Sequence, residues 1–385
     1  MEIICNQNEL NNAIQLVSKA VASRPTHPIL ANILLTADQG TNKISLTGFD
    51  LNLGIQTSFE GTVKNSGAIT IPSKLLSEIV NKLPNESPVN LEVDDNSENI
   101  FIKSDRGSFN LKGLHSDDYP NLPFVESGTS LNIDPISFLK ALKSTIFASS
   151  NDDSKQLLTG VNFTFKQNYL ESASTDGHRL AVALIGNEEN IKNNDNLPSN
   201  ENDLSVTIPT RSLREIEKLV TLRNSENLIK FFYDKGQVVF ISSNQLITTR
   251  TLEGNYPNYS QLIPDTFSKN FNFNTKQLID ALERIAVLAD QQSSVVKFKL
   301  DNTDLASISA DAQDIGNANE SIPVSYSGEN FDIAFNVRYL LEGLKVISCE
   351  NVLLKCNLPT TPAVFVPGDD INSFTYLVMP VQVRS

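Results

Sequence analysis

Apolar positions recur at three-and-four spacing along several stretches of this chain, and between those stretches they alternate. Residues 10–22, 138–148 and 278–289 carry Leu, Ile, Val and Ala with a helical period, and Ala13, Ala141 and Ala281 fall in register. A second helical pattern also repeats. Ile71-Pro72-Ser73-Lys74-Leu75-Leu76-Ser77-Glu78-Ile79 is answered by Ile208-Pro209-Thr210-Arg211-Ser212-Leu213-Arg214-Glu215-Ile216, and more loosely by Phe335-Asn336-Val337-Arg338-Tyr339-Leu340-Leu341-Glu342-Gly343. In the first two a proline stands near the helix start, where its missing N–H costs little, and the adjacent Ser or Thr is expected to satisfy orphan amides. Period-two and β-branched runs predict strands at 43–47, 52–57, 161–165, 238–241 and 296–300, bounded by turn residues such as Gly40, Gly236 and Asn302-Thr303-Asp304.

The register alanines are about 128 and 140 residues apart, near one third of the 385-residue chain, as an internal triplication requires. A closing phrase adds a further repeat. Asp118-Tyr119-Pro120-Asn121 and Asn255-Tyr256-Pro257-Asn258 each follow a strand-like run, 108–114 and 246–252, whereas the last third ends on the run 374–383. The expected fold is α+β, with three repeated domains at 1–126, 127–266 and 267–385, each holding two helices and antiparallel strands. Residues 186–203, rich in Asn, Glu and Asp without an apolar period, read as a solvated loop inserted in the middle repeat.

No apolar run is long enough to span a bilayer, and the N-terminal Glu2-Ile3-Ile4-Cys5 reads as a strand rather than a secretory leader. Cys5, Cys349 and Cys356 form an odd set with no CxxC, which suits reduced thiols in a cytoplasm. Sequons at Asn85 and Asn258 are then chance matches. The net charge of −14 argues at face value against nucleic acid, but its distribution reverses that. Fourteen Lys/Arg against nine Asp/Glu fall in the expected helices (8–24, 72–83, 134–149, 209–223, 274–290, 336–347), leaving 17 basic and 36 acidic residues elsewhere. Two readings stay open: a helical surface that attracts phosphate, or basic residues that simply favour helices.

Thr175-Asp176-Gly177-His178-Arg179-Leu180-Ala181, Tyr256-Pro257-Asn258-Tyr259 ending at Ile263-Pro264, Phe335-Asn336-Val337 and Tyr376-Leu377-Val378-Met379-Pro380 resemble the bacterial DNA polymerase III beta subunit family, the sliding clamps. Arg24-Pro25-Thr26 and Pro28-Ile29-Leu30 extend the resemblance to the whole chain. It implies a DNA clamp fold and a head-to-tail homodimer, whose six domains form a ring with helices lining the hole. It implies a processivity factor, not an enzyme, that encircles double-stranded DNA without reading sequence. Such a clamp tethers the replicative polymerase, the clamp loader and repair proteins through short linear motifs, with no cofactor, metal or membrane.

A sliding ring needs phosphate attraction without base contacts. Arg24, Lys74, Arg211 and Arg338 are the foremost candidates to line the hole, with Lys140, Lys143, Arg214 and Lys218 beside them. Arg24, Lys74 and Arg211 match basic positions of the family; Arg338 follows from the repeat. In the loop 150–158 this chain carries Gln156-Leu157 where the family has an aromatic pair. By the same resemblance Leu158, Thr175, Gly177, His178, Arg179, Leu180, Pro257, Leu262, Leu377, Val378, Met379, Pro380 and Val381 line an apolar pocket for partner peptides. Leucine, valine and a deformable methionine with few polar anchors suit small apolar side chains and several partners. Gln261 stands where the family shows Arg, and the tail beyond Pro380 is longer than usual. Candidates for the dimer contact are Phe109 and Leu111 in the first domain with Val287 and Leu288 in the third; the alternative is that they are ordinary core residues.

A catalytic reading competes at one point. Asp176 and His178 lie two apart and could form a general-base pair, though strand geometry alone puts such residues on one face. No GxSxG, HExxH, GxxxxGK[ST] or GxGxxG accompanies them, and His27, His115 and His178 are too few for a histidine metal cluster. A third possibility, an adaptor binding only proteins, would show no affinity for DNA.

Overall fold

The computed structural model describes residues 1–94, 97–105, 107–125, 128–166, 169–186, 204–222, 228–289, 294–300, 304–312, 315–326 and 329–382. Strand β1 (Glu2–Asn6) alternates, with Ile3 and Cys5 inward. Asn6 then caps helix α1 (Gln7–Val17) by accepting from the Asn8 amide at 2.8 Å. Leu10, Ala13, Ile14 and Val17 give α1 one buried stripe. β2 (Asn32–Asp38), β3 (Lys43–Phe49), β4 (Leu53–Glu60), β5 (Thr62–Asn65) and β6 (Gly67–Pro72) follow. Helix α2 (Ser73–Lys82) and β7 (Pro88–Asp94), β8 (Asn99–Ser104) and β9 (Gly107–Lys112) complete the first third.

The middle third has β10 (Thr129–Ile133), α3 (Pro135–Thr145), β11 (Gly160–Phe165), β12 (Tyr169–Thr175), β13 (Arg179–Gly186), β14 (Leu204–Pro209), α4 (Thr210–Leu222), β15 (Ile229–Asp234), β16 (Gln237–Ser242) and β17 (Gln245–Arg250). The last third has β18 (Lys269–Asn274), α5 (Thr275–Ala289), β19 (Val295–Leu300), β20 (Leu305–Ala312), β21 (Gly316–Pro323), β22 (Phe331–Asn336), α6 (Val337–Leu344), β23 (Asn351–Cys356), β24 (Ala363–Pro367) and β25 (Phe374–Val378). Apart from the extra β5, every third reads βαβββ twice. The triplication expected from the sequence is therefore doubled inside each copy.

The described residues of 1–135 and 218–251 form one compact unit, and those of 136–217 and 252–385 another. The first unit holds a sheet ordered β5-β1-β7-β8-β9 and an eight-stranded sheet β10-β15-β16-β17-β4-β3-β2-β6. The second holds an eight-stranded sheet β14-β11-β12-β13-β25-β24-β23-β18 and a four-stranded sheet β21-β20-β19-β22. Each eight-stranded sheet is a seam where the last strand of one repeat pairs antiparallel with a strand of another. β17 meets β4 with Ile247 opposite Ile55, and β25 meets β13 with Leu377 opposite Leu180. Among the described residues, β9 pairs only with β8 and β21 only with β20 as named strands, so both stand at sheet edges.

Two local expectations need correction. Residues 8–24 are not one helix: the Ser18 hydroxyl bonds back to the Ile14 carbonyl at 2.6 Å, the chain tightens to a 3-10 turn (Ser18–Ala20), and Arg24 lies in the loop beyond. Nor does Ser73 cap α2, whose start has no side-chain cap. Its hydroxyl meets that of Ser18 at 3.1 Å, as Thr210 meets Ser149 at 2.9 Å, so in both copies this hydroxyl joins the second helix to the end of the first. The third copy does carry a cap, Asn336 accepting from the amides of Arg338 and Tyr339. Ala13, Ala141 and Ala281 are all buried, as their shared register requires. In the last third Gly343 is obligatory on α6, because an added Cβ would stand 2.1 Å from the Tyr376 ring.

Candidate functional site

The Thr175-to-Leu180 phrase forms the turn between β12 and β13. Gly177 takes φ +95°, a left-handed conformation that favours glycine. Asp176 folds the turn through Oδ1, which accepts from the amides of His178 at 2.8 Å and Arg179 at 3.1 Å. Thr175 donates its hydroxyl to the Arg179 carbonyl at 2.5 Å and accepts from the Gly177 amide at 3.0 Å. The turn is then tied outward. The Met379 amide donates to the His178 carbonyl at 2.9 Å, Lys155 Nζ to the Asp176 carbonyl at 3.1 Å, and the Thr175 amide to the Tyr256 hydroxyl at 3.1 Å.

Arg179 points away from solvent, only 7 % exposed. Its Nε donates to Asp176 Oδ2 at 3.1 Å, Nη2 to the Phe147 carbonyl at 2.8 Å, and Nη1 to Glu342 of α6. The guanidinium lies over the rings of Tyr339 (4.5 Å) and Phe147 (5.5 Å). Arg179 is thus inside the wall of the candidate pocket rather than on its lining. The Asp176–His178 catalytic pair does not form in this structure: the Asp176 carboxylate is committed to backbone amides and Arg179, while the His178 ring stacks on Tyr339 at 6.4 Å.

The apolar ledge comes from the register. Leu180, Leu377 and Val364 are opposite one another on β13, β25 and β24, and with Ala173, Val182 and Val366 they form one buried cluster. Tyr259, Ile263, Phe267 and Leu353 pack against it. Leu262 remains 53 % exposed at the rim, Met379 is exposed, and Leu158, Pro380 and Val381 are half-buried. Pro257, Gly177 and His178 are exposed, whereas Thr175 and Val378 are buried. The Val381 amide anchors the tail on the Ala334 carbonyl at 2.8 Å. Residues 383–385 and 187–203 lie outside the described residues. Sequence reasoning missed Val364, Tyr259, Ile263, Tyr339 and Glu342. The continuous apolar run of β24, buried at every position, was a usable signal for Val364; the pairing that delivers it was not. Burial pushes the Tyr256 and Tyr259 phenols well up, and Tyr259 in addition bonds to Glu171.

The basic candidates sit on a simple positional rule. Lys74, Arg211 and Arg338 are each the second residue of α2, α4 and α6, and all three are exposed. A cation there opposes the helix dipole, so fold stability does not select it. Arg211, Arg214 and Lys218 are exposed at i, i+3 and i+7 on α4, and Lys140 and Lys143 are exposed on α3. Within the helices as they form, ten basic residues face seven acidic, a smaller excess than expected, because Lys19, Arg24 and Lys345 fall outside. Arg223 lies outside the described residues.

Phe109 and Leu111 stand on β9, Phe109 39 % exposed and Leu111 half-buried. Val287 on α5 is 68 % exposed and Leu288 half-buried, so none of the four is a core residue of its own unit. Burial raises the Cys5 and Cys356 thiols to about 12, with Glu9 adding to the shift at Cys5, and both stay protonated at neutral pH. Among the described residues no group of three or more His, Cys, Asp or Glu could hold a metal, and no helix is long and apolar enough to cross a membrane.

Among the described residues, six βαβββ repeats, joined by sheets that run from one repeat into another, define a triplicated α+β protein of the DNA-clamp class. Residues 1–123, 132–258 and 260–382 match the N-terminal, central and C-terminal domains of the DNA polymerase III beta subunit. The chain is 46 % identical to the beta sliding clamp of Synechococcus elongatus, with both chains fully covered, and 33 % identical to that of Bacillus subtilis over 99 % of this chain and 100 % of that one. The solved sliding clamp of Bacillus subtilis superposes with a TM-score of 0.89 at 30 % identity, both chains fully covered. The C. crescentus beta sliding clamp, solved with bound PEG, superposes with a TM-score of 0.91 at 26 % identity over 100 % of this chain and 99 % of that one. The chain belongs to the DNA polymerase III beta subunit family, the bacterial sliding clamps. Its members are processivity factors rather than catalysts, and membership carries partnership with DNA, polymerase and other clamp-binding proteins.

Proposed function

We propose that two copies of this chain join head to tail into a closed ring around duplex DNA in the cytoplasm, and that partner proteins dock through short motifs in the pocket at the second seam. The strand order carries this reading. β4, β13 and β21 hold the same place in the repeat, as do β9, β17 and β25. Within the chain β4 takes β17 and β13 takes β25, which leaves the edges of β9 and β21 to complete a third equivalent seam between copies. Such an interface is heterologous and closes only if the rotation brings the second copy's ends together. The exposed Phe109 beside Leu111, and Val287 beside Leu288, would flank that junction. With domains at 1–126, 127–266 and 267–385, two copies supply six domains.

The cations at the second helical position gain a use in the ring. A helix N-terminus and a Lys or Arg both attract phosphate, and neither reads a base. Lys74, Arg211 and Arg338, with Lys140, Lys143, Arg214, Lys218 and the loop residue Arg24, would hold DNA while letting it slide. The ledge of Leu180, Leu377 and Val364, rimmed by Leu262 and Met379, would take apolar side chains of a peptide from the polymerase, clamp loader or repair proteins. The test is retention on DNA: once loaded, the protein stays on circular primed DNA and is lost when the circle is cut. Equal retention on both forms, or a strict monomer by mass in solution, overturns the ring.

A further inference from the structure

We propose that Arg179 and Glu342 are a positioning pair, through which the second helix of the last third sets the shape of the partner pocket at the second seam. The inference rests on the pocket reading above and adds residues that the peptide would not touch. At the equivalent place in the first seam the chain uses Leu53, an apolar residue that fills the space without charge. Burying a guanidinium instead carries a desolvation penalty that packing alone does not require.

What the cation adds is direction. One planar fork fixes the Asp176 carboxylate of the turn, the Phe147 carbonyl at the end of the α3 segment, and Glu342 on α6, between two aromatic rings. Asp176 in turn holds the amides of His178 and Arg179, so the turn's shape and its distance from α6 are set by the same group. Two further contacts fasten the helix to the wall: Tyr376 donates its hydroxyl to the Tyr339 carbonyl at 2.7 Å, and the His178 ring lies on Tyr339. Leu180 follows the turn directly, and Met379 hangs from the His178 carbonyl. Loosening Arg179 therefore moves both sides of the ledge.

The experiment uses the full-length dimer and a fluorescent peptide carrying the C-terminal tail of the cognate replicative polymerase. Glu342 is half-exposed, so Glu342→Gln is expected to fold. Glu342→Gln and Arg179→Lys each weaken the peptide about ten-fold, and the double variant is little worse than either alone, as a coupled pair requires. Dimer mass and retention on circular DNA stay at wild-type values. The imidazole resonance of His178 shifts in Glu342→Gln while those of His27 and His115 do not, a signature that general loss of stability would not give. Wild-type affinity in Glu342→Gln, or a parallel loss of dimer and DNA retention, overturns the proposal. Met379→Ala separates the two readings. If it weakens the peptide while Glu342→Gln does not, only the positioning pair fails; if it too binds like wild type, the pocket itself is wrong and the pair falls with it.

Discussion

The seam between β4 and β17 and the seam between β13 and β25 share one plan through the turn that leads into each. Asp50 turns the chain into β4, its Oδ1 accepting from Asn52 at 3.0 Å and Leu53 at 2.8 Å, as Asp176 turns it into β13. Leu51 and Gly177 hold the same left-handed place, with φ +75° and +95°. Tyr119 and Tyr256, from the two copies of the Tyr-Pro-Asn phrase, each bring a buried phenol to the backbone of the strand before the turn, at Thr47 and Thr175. The seams part first where Leu53 stands in the place of Arg179, and then at the next rung, where Gly54 faces Thr248 in the first and Leu180 faces Leu377 in the second.

That rung decides what lies on the sheet. In the first seam Thr248 donates to the Pro123 carbonyl at 3.0 Å, and a Cβ on Gly54 would stand 2.5 Å from Leu122. The chain's own Leu122-Pro123 segment occupies the ledge. In the second seam two leucines and Val364 build the ledge up, while Leu262 stays at the rim. One repeat thus uses its closing phrase as a lid and another leaves an apolar shelf, which is the place proposed for partner peptides.

The largest effect is expected where a third seam would form between copies. Phe109→Asp combined with Val287→Asp places desolvated carboxylates at both sides of the proposed junction, and sedimentation should show the dimer weakened by roughly 100-fold or more. A dimer of unchanged stability would mean that β9 and β21 are not the completing edges. Removing the chain after Val378 comes next. It takes away the Met379 and Val381 amide bonds and the rim methionine, and peptide affinity should fall by about 100-fold while the dimer persists. Fluorescence anisotropy reads the outcome, and unchanged affinity would detach the tail from the pocket.

Much of the second seam was legible because its signals are local. The Thr-Asp-Gly-His-Arg run encodes its own turn through an Asx bond and a left-handed glycine, and the alanine register marks where the first helices are buried. The doubling within each third was not legible. β5 and the Asn- and Glu-rich stretch of sequence at 186–203 break the spacing, and βαβββ halves share no phrase as strong as those shared between thirds. Long-range pairing was equally hidden: nothing local to Leu246 specifies Gln56 as its neighbour, or to Leu377 that it must lie between Leu180 and Val364. Arg179 was misread for a related reason. A motif lists the residues of a wall without saying which face each side chain takes, and the partners that hold the buried cation include, beside the local Asp176, Glu342 on a distant helix, 163 residues on.

Exchanging the roles of Leu122 and Leu262 sharpens the contrast at moderate effect. Leu122→Ala should cost about 2 kcal/mol of stability, as for a leucine that fills a ledge, and leave peptide affinity alone. Leu262→Ala, at an exposed rim, should leave the melting temperature alone and weaken the peptide about ten-fold. Thermal unfolding and anisotropy on the same pair of variants check both halves; matching losses in both assays would show that the two closing phrases are used alike.

The smallest effect tests whether the two turns are equivalent at all. A left-handed backbone costs a residue with a Cβ roughly 1–2 kcal/mol, while glycine gives back roughly 0.5–1 kcal/mol through the freedom it adds to the unfolded chain. Gly177→Ala meets no steric block, since the nearest atom to the added Cβ is Lys155 Nζ at 3.7 Å, so only these two opposed terms remain. Their difference makes Gly177→Ala destabilising by about 1 kcal/mol or less, and Leu51→Gly stabilising by a similar amount because it removes the same strain from the first turn. Thermal unfolding should therefore give shifts of opposite sign. If both substitutions destabilise, Leu51 is held by contacts that Gly177 lacks, and the resemblance of the seams stops at the aspartate.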